Sequence, residues 1–222
     1  MIVLAVDTSG RHGSAALCRG DATRFEVLGL TSLEGGRYSA RLIPAIRDLL
    51  HNAGVSKSQV DGLVVVDGPG SFTGLRVGLS TVKALCEILE KPLATVSMLE
   101  ALAITYGIDG EHVSAVLDAG RGEVYVGEYR VSGGNADLVQ QSIEKLEVFL
   151  KQAQSITWRI LTTYPKLGEA LVGVTVQDPL PADAIARIGL HKLLAGDTGD
   201  PATLDANYIR RSDAELFSLP KH

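Results

Sequence analysis

The chain has 222 residues, 45% hydrophobic and 21% charged, the composition of an ordinary folded globule. Its 21 basic against 26 acidic residues give a net charge of −5 with no Lys/Arg block, which argues against a general nucleic-acid coat. No run of about 18 apolar residues is present, so a membrane span is not expected. The apolar opening Ile2-Val3-Leu4-Ala5-Val6 is too short for a signal peptide and lacks a basic leader. Cys18 and Cys86 each lie in an apolar stretch and read as buried thiols in a reducing cytosol. The five histidines form no close pair, so a His-based metal centre is not expected. Length alone leaves one large domain or two small ones.

Residues 2–6 are a continuous apolar run, as in a strand buried on both faces. Turn chemistry at 8–13 leads to strands at 14–18 and 25–30. Leu42, Ile43, Ile46, Leu49 and Leu50 make one apolar stripe, which predicts a helix over 38–53. Pro44 inside it predicts a kink or a first turn. A buried strand at 63–66 runs into Asp67-Gly68-Pro69-Gly70-Ser71-Phe72-Thr73-Gly74, and a long helix follows to about residue 89. A strand at 93–96 and a short helix at 98–106 complete the first half.

The pattern then restarts. Strands are predicted at 113–117, 123–129 and 138–141, with a tight turn at 119–122. A helix at 143–153, strands at 158–162 and 171–176, a helix at 182–194 and an irregular tail follow. Leu4-Ala5-Val6-Asp7-Thr8-Ser9-Gly10 matches Ala115-Val116-Leu117-Asp118-Ala119-Gly120, and Asp7 and Asp118 stand 111 residues apart in 222. This is an internal duplication rather than a short-period array. It predicts an α/β protein of two βββαβα subdomains, divided as residues 1–107 and 108–222, with two mixed sheets flanked by helices. Asp7 and Asp118 are then expected to face one another across a cleft at the strand ends.

Four features carry candidate chemistry. The Asp7-Thr8-Ser9-Gly10 turn could cradle phosphate on backbone N–H groups and hydroxyls, with Asp7 holding magnesium through water. Its alternative is a plain hairpin capped by Asp and Ser. The glycine loop at 68–76 is no Walker A motif, since no Lys follows any of its glycines. It offers Ser71 or Thr73 as helix N-cap and an exposed Phe72 at the tip. Gly74 and Gly78 let another helix approach closely, either within the molecule or at a subunit interface, and Gly78→Leu is expected to wedge the helices apart in a folded monomer. Asp7, Asp67 and Asp118 at strand ends would suit a metal nuclease, against which the missing basic stripe weighs. Finally, the tail Asn207-Tyr208-Ile209-Arg210-Arg211 either wraps back or frays.

The string Gly68-Pro-Gly-Ser-Phe-Thr-Gly-Leu-Arg-Val-Gly78 resembles the signature of the bacterial TsaB (YeaZ) family. The opening Leu-Ala-Val-Asp-Thr-Ser, the block from Asp118 to Tyr125 and the tail Tyr208-Ile-Arg210 match in order, so the resemblance spans nearly the whole chain. It implies the actin-like ATPase (ASKHA, RNase H-like) fold. It implies a non-catalytic paralogue of TsaD in the formation of N6-threonylcarbamoyladenosine on the tRNA adenosine next to the anticodon. TsaD would be its heterodimer partner, TsaE a further subunit, a homodimer its state without TsaD, and tRNA a ligand only through the complex. The helices implied in the interface are 38–50 and 72–89, through Tyr38, Leu42, Ile46, Phe72, Thr73, Arg76, Leu79 and Lys83.

The resemblance implies no cofactor of the chain's own, and admits ATP or ADP with magnesium at or near the complex interface. Asp7, Ser9, Gly10 and Asp118 are the nucleotide-binding candidates. TsaD-type enzymes carry a metal-binding His pair on the helix after the equivalent of Val96; here that helix reads Ser97-Met98-Leu99-Glu100-Ala101-Leu102. Many relatives have His at Tyr38 and Pro at Ala206. Two alternatives remain: an ATP-dependent small-molecule enzyme of the same fold, and an RNase H-like metal nuclease. A cytoplasmic location is expected.

Overall fold

The computed structural model describes residues 1–34 and 37–204. β1 (Ile2–Asp7) is buried from Val3 onward, as a central strand with apolar residues on both faces must be. It pairs antiparallel with β2 (Gly13–Gly20) and parallel with β4 (Gly62–Gly68). β3 (Phe25–Leu33) and β5 (Leu93–Ser97) form the edges, giving the order β3-β2-β1-β4-β5.

Three helices follow from the apolar periodicity of the same stretch. α1 (Tyr38–Asn52) buries Leu42, Ile46 and Leu49, and packs on β2 and β3. Pro44 lies inside this helix rather than at its start. α2 (Phe72–Leu89) packs on β4 and β1 through Leu75, Leu79, Val82 and Cys86. Ser71 caps it by accepting the Gly74 N–H at 3.3 Å. α3 (Met98–Tyr106) runs on directly from β5.

The second sheet repeats the first. β6 (His112–Gly120), β7 (Glu123–Ser132), β8 (Asn135–Lys145), β9 (Arg159–Thr162) and β10 (Val174–Val176) stand in the order β8-β7-β6-β9-β10, position for position the order of β3-β2-β1-β4-β5. The interposed helices are α4 (Leu146–Ala153), α5 (Pro165–Ala170) and α6 (Ala182–Ala195). Val116, Val124, Val126, Phe149, Ile160 and Leu167 form this unit's core. The duplication is therefore real, and each copy is βββαβαβα. This is the ASKHA fold expected from the resemblance.

The structure corrects several expectations. The third strand of the second half runs to Lys145, because Glu123 pairs with Lys145 at the end of the β7–β8 ladder; the helix starts only at Leu146. The strand expected over 171–176 is reduced to Val174–Val176, preceded by the short α5. His112 opens β6, and its ring stacks on Trp158 at 4.2 Å.

The division at residue 107 also shifts. Among the described residues, one compact unit takes 1–101 with 179–204, and the other takes 102–178. The reason is α6, which packs on β1, β2, β4 and β5. Its buried Ile185, Leu190 and Leu193 supply the apolar contact, and Gly189 meets Val64 where a Cβ would not fit.

Candidate functional site

The glycine loop and the Asp7 turn are one construction within the first unit. Asp7 is 5% exposed. Its Oδ1 accepts the Ser9 N–H at 2.8 Å and the Ser9 hydroxyl at 2.7 Å. Burial pushes its carboxyl above the usual range, and the two Ser9 bonds pull the other way. Thr8 donates its hydroxyl to the Gly74 carbonyl at 2.7 Å, and the Ser71 N–H donates to the Ser9 carbonyl at 2.6 Å. The Thr8 and Ser9 hydroxyls and the Ser9 amide of the turn expected to hold a phosphate are thus engaged by the chain itself.

The glycines of the motif have a direct steric reason. A Cβ on Gly70 would stand 2.5 Å from the Ser9 carbonyl oxygen. A Cβ on Gly74 would strike the Thr8 carbonyl oxygen, and one on Gly78 the Thr8 hydroxyl. The repeated glycines let α2 press against the β1–β2 turn, so the close approach is internal and made by a turn rather than a helix. The expectation that Gly78→Leu would leave a folded monomer is corrected accordingly, because Gly78 is buried in this contact.

The interface residues fall into two sets. Tyr38, Leu42, Ile46 and Leu79 are buried within the first unit. Tyr38 lies against Gly13 and donates its hydroxyl to the Gly10 carbonyl at 2.8 Å, so it braces the turn instead of facing a partner. Burial raises its phenol above the ordinary value, with the Asp7 charge adding to the shift. Leu42, Ile46 and Leu79 are core. These four positions are corrected as partner-facing residues: the apolar stripe of an amphipathic helix goes to its own sheet first.

The outward set is Phe72, Thr73 and Arg76, which are exposed, with the Arg76 guanidinium 3.9 Å above the Phe72 ring. With Ser39, Val77, Ser80 and Thr81 they line a shallow groove of about 500 Å³ on the outer side of α1 and α2. Small side chains at three- and four-residue steps of α2 were the available signal for Val77, Ser80 and Thr81. Lys83 is half-buried and donates to the Leu204 carbonyl at 2.7 Å.

Asp67 belongs to a separate set. It ends β4, and burial pushes its carboxyl up to about 6, with the Thr95 hydroxyl and the Lys192 ammonium pulling it down. Lys192 donates to Glu100 at 2.9 Å and to the Thr95 carbonyl at 3.2 Å, tying α6 to α3 and β5. Asp118, in the second unit, is exposed and accepts the Gly120 N–H at 2.8 Å. Among the described residues no group of three or more His, Cys, Asp or Glu is placed to hold a metal ion. Cys18 and Cys86 are buried free thiols, pushed by burial to about 12 and about 11. Among the described residues no helix is long and apolar enough to cross a membrane. Ala206, Tyr208 and Arg210 lie outside the described residues.

A family model described as TsaD, tRNA N6-adenosine threonylcarbamoyltransferase, matches residues 32–159. The tRNA threonylcarbamoyladenosine biosynthesis protein TsaB of Bacillus subtilis is 36% identical over 154 residues, covering 68% of this chain and 63% of the relative. The TsaB of Escherichia coli is 35% identical, covering 59% of this chain and 55% of the relative. The chain thus aligns with less than two thirds of the length of these curated relatives. Two solved structures from Pseudomonas aeruginosa superpose on most of it. One, described as YeaZ, has a TM-score of 0.72 at 27% identity and covers 91% of this chain and 96% of its own. The other, described as an uncharacterized protein with similarity to peptidase YEAZ, has a TM-score of 0.76 at 28% identity and covers 94% and 99%.

Proposed function

Because the chain belongs to the TsaB/YeaZ family, we propose that it serves tRNA threonylcarbamoyladenosine biosynthesis as a non-catalytic subunit that docks TsaD on the outer face of α1 and α2. TsaE joins the assembly, tRNA is engaged only through it, and the complex is cytoplasmic.

The observation that carries this reading is the closed turn. In an actin-like enzyme the first turn is the natural phosphate cradle. Here Asp7 and Ser9 bond each other, and the glycines of α2 fill the space behind them. The helix α3 presents Met98, Glu100 and no histidine, so a TsaD-type ligand pair has no side chains there. What the same motif leaves on its outer side is a groove with an aromatic residue at its rim, the kind of surface that anchors a partner helix. Any ATP or ADP with magnesium is accordingly assigned to the assembly and not to Asp7 or Ser9 of the isolated chain.

The test has two arms. The full chain is mixed with TsaD of the same organism, and tRNA nucleosides are analysed in cells depleted of this chain. The expected result is a stable pair with TsaD and loss of the threonylcarbamoyl nucleoside. No pairing, or unchanged nucleoside content, would overturn the proposal.

A further inference from the structure

Lys192, near the end of α6, and Asp67, near the end of β4, meet at Thr95 of β5, all within the first compact unit. Lys192 Nζ donates to the Thr95 carbonyl at 3.2 Å and to Glu100 Oε2, on α3, at 2.9 Å. These bonds use two of the donors of an ammonium that has three. The Thr95 side chain is bonded to the Asp67 carboxyl. Asp67 Oδ1 is buried and has no hydrogen-bond partner among the described residues. Leaving such an atom unpaired is costly, and more so when it carries charge. Two carboxylates thus stand around one half-buried ammonium, and only Glu100 is paired with it. Among the described residues, Lys192 on α6 favours ionisation of Asp67 and Glu100 on α3 opposes it. From β5 comes the uncharged Thr95, and neither β1 nor α2, the other elements packed on β4, brings a charge that shifts it.

We propose that Asp67, Glu100 and Lys192 form a proton-controlled toggle on α6. With Asp67 protonated, Lys192 stays on Glu100 and ties the end of α6 to α3. With Asp67 ionised, the ammonium is divided between two carboxylates and that tie loosens. The proton passes to solvent, and no other group changes charge. Burial sets the point at which the toggle turns, because it pushes the Asp67 carboxyl up to about 6 from an ordinary value of 3.8. The folded value is raised, so the hold on α6 is complete below about pH 4 and is lost as pH rises through about 6. The loss falls on one end of the helix. The start of α6 is held separately, by the Ala182 N–H donating to the Ser14 hydroxyl at 2.9 Å and by the Arg187 guanidinium 4.1 Å above the Phe25 ring.

Hydrogen exchange of the full chain, corrected for the intrinsic effect of pH on amide exchange, gives the test. From about pH 5 to about pH 7.5, protection of the amides of residues 190–195 should fall about threefold to tenfold, while that of residues 183–187 and of β1 stays level. Asp67→Asn, which keeps the shape and cannot ionise, should hold residues 190–195 at their low-pH protection throughout. A second measurement follows the Asp67 carboxyl carbon by NMR titration. Lys192→Met should move that titration upward and Glu100→Gln downward, whereas Lys192→Arg, which keeps the charge, should restore it most of the way. If Lys192→Met does not fold, Glu100→Gln and Lys192→Arg decide the matter. The same pH dependence in Asp67→Asn would assign the effect to another group and overturn the proposal. A fall spread evenly over the whole unit would reduce Asp67 to a contributor to global stability and overturn it too. So would an Asp67 titration that is unchanged by Glu100→Gln.

Discussion

The turns after β1 and β6 begin with an aspartate at the same place in the repeated unit, yet Asp7 is buried and Asp118 is exposed. Both carboxylates accept the backbone N–H two residues on, the ordinary bond of an Asx turn. The difference comes from the helix that follows the fourth strand of each unit. In the first it is α2, 18 residues with glycines at 74 and 78 that admit the turn. In the second it is α5, six residues, and a Cβ on Gly120 or Gly122 would meet nothing within 4 Å. A duplicated fold has kept one turn as packing and left the other open. The same α2 that closes the first turn lines the groove with its outer side, so closure and groove are two sides of one helix.

The largest test of that contrast is Gly74→Ala. Alanine favours helix by about 1 kcal/mol, but its Cβ would overlap the Thr8 carbonyl, a backbone atom that cannot move aside. The overlap should win, with a net loss of about 2–4 kcal/mol seen as a lower midpoint in urea unfolding. Ser9→Ala comes next. It removes the hydroxyl bond to a buried carboxylate and should cost about 2 kcal/mol by the same measurement.

Asp67→Asn sharpens the comparison with a strand-end carboxylate that is half-buried. Its folded-state pKa of about 6 lies above the unfolded value near 3.8, so the native state holds its proton more tightly. This group's contribution is fully present below about pH 4 and is lost as pH rises towards 6. The amide should therefore gain about 1–2 kcal/mol at pH 7.5, discounted for residual solvent contact, and nothing at pH 4. A stability profile of the two proteins across that range reads this out. Asp118→Ala should be the smallest change, within about 0.5 kcal/mol, because its bond to the Gly120 N–H is exposed. A loss there as large as that of Ser9→Ala would erase the contrast between the two turns.

The strands of both units were legible because their side chains alternate or run apolar in a way only a sheet explains. The ends of β8 and β10 were not, since pairing with β7 and β9 decides where those strands stop. The candidate residues divide by exposure. Phe72, Thr73 and Arg76 proved exposed, as a loop tip followed by a helix start should be. Tyr38, Leu42, Ile46 and Leu79 proved buried, because an apolar stripe does not say whether it covers the chain's own sheet or a partner. Ser39 was invisible as a groove residue until α1 and α2 were set side by side.

By itself the amino-acid order determined the duplication, the strand-end aspartates and the glycine spacing, all of which are local or periodic properties of the chain. Tertiary structure alone decided what the glycines admit and where α6 belongs. Gly74 and Gly78 are 66 and more residues away from the Thr8 they receive, and no spacing rule names a contact at that separation. Likewise α6 joins the first sheet because its buried face fits β1, β2 and β4, a choice settled by shape complementarity after the strands have assembled.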